Sequence, residues 1–280
     1  MSARISNPKI SIITVVFNAR DSLEKTILSV EQQNYQNIEF IVVDGQSTDG
    51  TVELIRSTEN ISKSIVEEDD GLFFAMNKGK ALASGDFAFF MNAGDEFCTP
   101  NVIRELVDRI EDPESNYFGN VVISNGYRTW RMGYNRLLES ENVDRRSLTI
   151  HHQGIFFPAS FYRSNDYDTS FRFVAESDYI SRALMATEIK FVDLDILHSK
   201  LEGFGISRFK TLSGTSAYYR ELKGMMSKYH CIYNRRSRST IGFKCYAKYV
   251  LYKIGGMRLM TTVLGWRANL YSRLGWSMNI

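Results

Sequence analysis

The chain has 280 residues, of which 44% are hydrophobic and 24% charged. That balance belongs to a globular protein with a sizeable core and excludes a disordered chain, a collagen-like repeat and a disulfide miniprotein. Cys98, Cys231 and Cys245 show no CxxC spacing, which excludes a disulfide framework or cysteine zinc site and points to a reducing compartment. The opening MSARISNPKI lacks the apolar stretch of a signal peptide, and no apolar run approaches the roughly 18 residues that span a bilayer. The net charge of +2 conceals an asymmetry: residues 204–280 carry 14 Lys and Arg against one acid, Glu221, a balance of +13 that leaves −11 on the remainder. An acidic body with a basic tail attracts phosphates, nucleic acid or anionic lipid to that tail.

KISIITVVF (9–17) is an apolar, β-branched run with the length of a buried strand, followed by a turn at 18–20. Asp21 or Ser22 is placed to cap a helix on which Leu23, Ile27 and Val30 recur at helical spacing. IEFIVV (38–43) predicts a second strand, which ends in the glycine-punctuated loop DGQSTDG (44–50). A helix at 51–57, a strand near 64–67, a helix over about 72–83 and a strand DFAFFM (86–91) follow. Alternating strands and helices imply parallel pairing through right-handed crossovers, with helices on both faces of a Rossmann-like, mainly parallel sheet. In such α/β folds ligands sit beyond the carboxyl ends of the strands. Asn18, Asp44, Asp69 and residues 92–95 all stand just after strands. Residues 116–132 alternate as shorter, antiparallel strands, and 133–149 reads as a polar loop. Segments 155–158 and 190–197, with a helix around 178–186 between them, complete the acidic part; the tail has helical segments near 210–229 and 242–274.

Three constellations carry candidate chemistry. A nucleotide base offers an imide N–H and a ribose its hydroxyls, which Asp44, with Thr14 and Asn18 on the neighbouring strand end, is placed to meet; the competing reading has Asp44 and Asp49 merely stabilising a tight turn. FFMNAGDEF (89–97) delivers Asn92, Gly94 and Asp95 to the sheet edge. One carboxylate plus diphosphate oxygens is a usual way to hold Mg2+ or Mn2+, and such an ion neutralises charge on a departing diphosphate; the alternative is an Asx turn. HHQGIFFP (151–158) and VAESDYISR (174–182) place His151, His152, Glu176 and Asp178 as metal, acceptor or proton-transfer candidates, although acids at a helix start also simply suit its dipole.

These residues resemble the family 2 glycosyltransferases. ISIITVVFNARDSLEKTILSVEQQNYQNIEFIVVDGQSTDGT is similar to that family's opening strand, Asn turn, helix and VVDG-S-x-DGT loop. EEDDGLFFAMNKGKALASGDFAFFMNAGDEF resembles its E-x-D-x-G-x-x-x-A-x-N-x-G…GD…F-x-N-x-G-D stretch, and HHQGIFFP and ESDY its HQ-x-x-F and Asp-Tyr elements. The likeness spans roughly 9–207 and is nearest to the WcaE-like branch, bacterial enzymes of exopolysaccharide assembly. It implies a GT-A fold and inverting transfer from a nucleoside diphosphate sugar, UDP being the expected nucleotide, to a glycan or polyprenyl-linked acceptor. By position, Thr14, Asn18, Asp44, Asp69, Asn77, Asn92, His152 and Gln153 would contact substrate, Asp95 would hold Mg2+ or Mn2+, and Asp178 would be the general base with Glu176 as its rival. Residues 1–207 would form the catalytic domain, the nucleotide-sugar part about 1–98 and the acceptor part about 99–207. Two departures stand out: the family's commoner Asp-x-Asp is here Asn92-Ala93-Gly94, and Phe74 replaces an Asp. GFGIS (203–207) is a candidate mobile loop over the donor.

In the basic tail, 208–280, apolar residues interrupted by Lys248, Lys253, Arg258 and Arg267 suit a helix lying in a headgroup region better than one crossing a bilayer. The expectation is a cytoplasmic protein held peripherally on the anionic inner membrane, with packing on the catalytic domain or on a second copy in a homo-oligomer as the alternative. No nucleic-acid-binding signature accompanies the charge, so nucleic acid is not an expected partner. Two rival classes remain: a catalytically inactive nucleotide-sugar-binding subunit, motivated by Asn92, and a dinucleotide oxidoreductase, which the absence of GxGxxG after the first strand opposes.

Overall fold

The computed structural model describes residues 5–124, 129–132, 152–200 and 212–229. The expectations for 133–149, His151, 203–207 and 242–274 lie outside the described residues. The first half is β1 (Ile10–Val16), α1 (Arg20–Glu31), β2 (Ile38–Asp44), α2 (Thr51–Ser57), β3 (Lys63–Val66), α3 (Leu72–Leu82) and β4 (Phe87–Phe90). Then follow β5 (Glu96–Phe97), α4 (Val102–Val107), β6 (Asn116–Ser124), β7 (Thr129–Met132), a 3-10 turn (His152–Gly154), β8 (Ile155–Pro158), α5 (Ala159–Tyr162), α6 (Ala175–Ala186), β9 (Ile189–Lys200) and α7 (Leu212–Lys228).

The strands form a single sheet in the order β3-β2-β1-β4-β8-β6-β9-β5, with β7 paired to β6. Strands β1 to β4 are mutually parallel where they pair. β8 runs against β4 and β6, while β6 and β9 are parallel, so β1, β2, β3, β4, β6 and β9 all point one way. The expected antiparallel pairing in 116–132 holds between β6 and β7, but β6 also takes the parallel partner β9.

Period-2 geometry explains how such apolar strands are used. In β1, Ile10, Ile12 and Val16 enter one core cluster and Ile13 and Val15 the other, and Phe40 and Val42 against Ile41 and Val43 repeat the division in β2. Leu23, Ile27 and Val30 of α1 and the apolar face of α4 cover the first side. Phe73 and Met76 of α3, Phe161 and Tyr162 of α5, and Tyr179 of α6 cover the second. Gly79 lets α3 lie directly on the sheet, since a Cβ there would stand 2.5 Å from Ile13 Cγ2. Neither Asp21 nor Ser22 caps α1: the helix starts at Arg20 after Ala19, with no side-chain cap, and Asp21 sits in its first turn. A third cluster, Val174, Met225 and Tyr229, fastens α7 to the segment leading into α6.

Candidate functional site

The strand order reverses between β1 and β4, because β1 is followed outward by β2 and β3 on one side and by β4 on the other. Crevices at such a switch point, beyond the carboxyl ends, are where open α/β sheets take ligands. Asn18 follows β1 and Asn92 follows β4, so the two asparagines border it. Thr26 of α1 braces the far wall: its hydroxyl donates to the Asp95 carbonyl at 2.9 Å and accepts the Gly94 N–H at 2.9 Å. Gly94 has φ +97, a backbone that an aspartate there would adopt only under strain.

At the β2 end the turn reading of Asp44 is the one realised. Its carboxylate is fully buried and accepts the Ser47 N–H at 2.8 Å and the Ser47 hydroxyl at 2.5 Å. Ser47 Oγ in turn accepts the Asn18 N–H at 2.7 Å, and Asn18 Oδ1 accepts the Thr48 N–H at 2.8 Å. Asp44 is therefore a buried brace between the two strand ends. Asp49 likewise binds the Thr51 and Arg20 N–H groups. Thr14 is also fully buried, and its hydroxyl has no hydrogen-bond partner among the described residues. Asp69 stands beside Gly45, just past the end of β2, with its side chain 9% exposed. A Cβ on Gly45 would meet Phe17 Cδ2 at 3.2 Å and Asp69 Oδ2 at 3.7 Å, so these groups converge around that glycine, and Phe17 is 64% exposed. Lys78 pairs with Asp69 and, at 2.7 Å, with Glu67, and these two acids hold its ammonium above its ordinary pKa. Asn77 sits differently: Nδ2 donates to the Tyr167 carbonyl at 2.9 Å and Oδ1 accepts the Tyr167 N–H at 2.8 Å, which commits its amide to the fold.

The 3-10 turn contacts β4, β6, β9 and α6, and joins the two halves of the site. Gln153 donates to Asp95, both side chains being buried. Asp95 also accepts the Asn92 N–H at 3.1 Å. Burial pushes its pKa up to about 6, against the opposing hydrogen bonds from Ser199, Asn92 and Gln153 and the charge of His152. Neighbouring His152, 4% exposed, brings Nδ1 within 3.1 Å of Glu176 Oε2, whose side chain is 34% exposed.

Mg2+ or Mn2+ bound by a single protein carboxylate needs that carboxylate turned toward the diphosphate. Asp95 is 4% exposed and engaged inward by Gln153 and Asn92, and Gly94 contributes no side chain. Among the described residues no three His, Cys, Asp or Glu side chains converge as a metal site. The residues present do not fit direct coordination at Asp95.

Asp178 and Glu176 both lie in the first turn of α6, yet their surroundings diverge. Asp178 is fully buried and accepts from Tyr229 Oη at 2.7 Å, Arg182 Nε at 2.9 Å and Lys228 Nζ at 3.0 Å. Burial acts to raise its pKa, but Tyr229, Lys228 and Arg182 together hold it below the ordinary value. An ionised carboxylate so engaged is a poor proton acceptor.

A crevice at the switch point of an α/β sheet covered on both faces is the place where open α/β folds take their ligands. A model of glycosyl transferase family 2 matches residues 11–170, and the chain belongs to that family: it is a glycosyltransferase. An uncharacterized glycosyltransferase of Mycobacterium tuberculosis is 32% identical over 197 residues, 65% of this chain and 71% of its relative. The putative teichuronic acid biosynthesis glycosyltransferase TuaG of Bacillus subtilis is 35% identical over 103 residues, 35% of this chain and 41% of TuaG. Among solved structures, residues 1–349 of S. aureus TarS in complex with UDP-GlcNAc align with TM-score 0.65 at 15% identity, covering 88% of this chain and 73% of that one. The mannosyltransferase PcManGT from Pyrobaculum calidifontis, in complex with GDP-Man and Mn2+, aligns with TM-score 0.59 at 16% identity, covering 97% of this chain and 82% of that one. These likenesses show the GT-A fold.

The sequence reading missed Phe17, Ser47, Lys228 and Tyr229. Ser47 carried a signal, three residues after Asp44, the spacing of a side-chain-closed turn. The others carried none.

Proposed function

We propose that the chain transfers a sugar from a nucleoside diphosphate donor, with UDP as leaving group, to a hydroxyl of a glycan or polyprenyl-linked acceptor in bacterial surface polysaccharide assembly, inverting the anomeric centre. The UDP-GlcNAc bound by the TarS fragment supports the donor class. TuaG's name supports the biosynthetic setting. Residues up to about 98 hold the nucleotide and those from about 99 to 207 the acceptor. At the nucleotide, Phe17 supplies a ring for the base and Asp69 an acceptor for its imide N–H. Asn18, exposed and with Oδ1 engaged, keeps Nδ2 for a ribose or phosphate oxygen. Asn92, partly exposed at the switch point, serves the diphosphate. The N-terminus of α3, which starts after Gly71 without a side-chain cap, favours negative charge nearby. Asp44, Asn77, Asp95 and Gln153 act by positioning.

Attack on the anomeric carbon needs a base on the face opposite the diphosphate, and one displacement inverts configuration without an enzyme nucleophile. We assign that base to Glu176 in preference to Asp178. The observation that carries the assignment is the contrast between a partly exposed carboxylate oriented by His152 and a buried one held by three donors. His152 would fix the carboxylate while the acceptor hydroxyl gives up its proton. Glu176→Gln should retain donor binding and lose transfer; transfer at the wild-type rate would remove the assignment. Appearance of free nucleoside diphosphate with a panel of nucleotide sugars tests the donor, and its absence with every donor favours the inactive binding subunit. The basic region 208–280 would hold the enzyme on the inner membrane, near a lipid-linked acceptor. Among the described residues no helix is long and apolar enough to cross a membrane.

A further inference from the structure

We propose that the last turn of α7 positions the catalytic carboxylate: Lys228 and Tyr229 hold Asp178, and through it the first turn of α6, so that Glu176 keeps the orientation that transfer requires. The inference rests on the assignment of Glu176 as base. Three observations place the tail helix on this one turn. Tyr229 and Lys228, 51 and 50 residues further along the chain, both donate to Asp178 Oδ1, while Arg182 takes Oδ2 from within α6. Just upstream, the Phe173 N–H donates to Glu221 Oε2 of α7 at 2.8 Å. Between these anchors, Val174 packs with Met225 and Tyr229, and its carbonyl accepts the Asp178 N–H at 2.9 Å.

Residues 173, 174 and 178 are thus tied to α7, and Glu176 lies within the span they define. The opposite side of Glu176 is fixed by His152 Nδ1 at 3.1 Å. Its carboxylate is therefore suspended between the 3-10 turn of the catalytic half and a helix of the basic region. Most helical stability in proteins comes from tertiary packing of one face, so α7 draws support from this docking as it gives it. Removing a donor from Asp178 leaves a buried carboxylate short of a partner, and the cheapest relief is a shift of the turn that carries it. Sub-ångström displacement of a reacting group is enough to cost rate without costing donor affinity. Tyr229 and Lys228 are accordingly positioning residues, coupling the tail to catalysis.

The test uses the full chain with a saturating acceptor. Tyr229→Phe and Lys228→Met should each lower kcat by about tenfold while the donor KM stays within about twofold and donor-binding stoichiometry stays at one per chain. Lys228→Arg, which keeps a charge-assisted donor for Asp178, should return kcat to within about threefold of the wild type. Wild-type kcat in Tyr229→Phe and Lys228→Met, with Glu176→Gln inactive, overturns the positioning role and leaves the base assignment standing. Wild-type turnover in Glu176→Gln overturns the base assignment itself. A fall in kcat matched by an equal fall in donor-binding stoichiometry, without rescue by Lys228→Arg, marks simple misfolding and also overturns the proposal. Faster amide exchange in 174–178 of Tyr229→Phe, relative to the rest of α6, is the expected structural signature.

Discussion

The side-chain amide of Gln153 donates to the carboxylate of Asp95 across 58 residues of chain, and both groups are buried. This bond ties the loop after β4 to the 3-10 turn. Because burial raises Asp95 from an ordinary 3.8 to about 6, the folded state binds more protons than the unfolded one between those values. Its contribution to stability is full below about pH 4 and is lost as pH rises through 6. Asp95→Asn carries no such titration. The stability difference between the variant and the wild type should move in the variant's favour between pH 4 and 7. Chemical denaturation at several pH values checks this, and a pH-independent difference would refute it.

The same residue separates two views of metal use. With Asp95 turned inward, Asp95→Asn should raise the Mn2+ concentration for half-maximal transfer by less than about tenfold, the low end of what changes outside the coordination shell cost. A shift of tenfold or more would return Asp95 to the ion.

Glu176→Gln should lower turnover by about 10²- to 10⁴-fold, the usual worth of a general base, with donor affinity retained. Asp178→Asn should lower turnover of the folded fraction by only about tenfold, through loss of positioning. It should also cost about 1–3 kcal/mol of stability, because Tyr229, Arg182 and Lys228 lose their charged acceptor while both cations remain partly exposed to water. Steady-state kinetics beside thermal melts distinguish the two, and a larger kinetic loss in Asp178→Asn would exchange their roles.

Glu39 anchors the opposite edge of the sheet. Its buried carboxylate accepts from Ser11 Oγ at 2.7 Å, from the Ser84 N–H at 2.8 Å and hydroxyl at 2.9 Å, and pairs with Lys63 at 2.7 Å. Burial alone would raise its pKa; Lys63, Ser11 and Ser84 outweigh this and bring it to about 2, against an ordinary 4.5. The stabilisation is complete above pH 4.5 and disappears as pH falls through 2. Glu39→Gln should cost about 2 kcal/mol at pH 7, typical of a buried group left partly unsatisfied, and much less near pH 2. Acid unfolding that is identical in the two proteins would refute this.

Gly79→Ala improves helix propensity by about 1 kcal/mol but puts a methyl into Ile13 Cγ2. Overpacking of a branched core residue costs about 1–3 kcal/mol, so a net loss in Tm is expected. An unchanged or raised Tm would mean that α3 lifts freely from the sheet.

Local side-chain pattern was enough to place most of the strands and helices and the residues that fall just after strands. Those features depend on side chains two to four positions apart, and β1, β2, α2, α3 and β4 lie within about two residues of their expected bounds. The very short α4, α5 and β5 escaped because one helical turn or a two-residue strand carries no readable period. The family was legible as well, since its linked motifs occupy strand ends in order. What each acid does was decided by the tertiary structure. Asp44 and Asp69 both follow strands, yet one closes a buried turn with Ser47 and the other pairs with Lys78. Glu176 and Asp178 share a helical turn, yet Asp178 is fully buried under donors from residues some 50 positions away, whereas the Glu176 side chain is 34% exposed. Burial and donor count set whether a carboxylate can accept a proton, and both arise from contacts that neighbouring sequence does not encode.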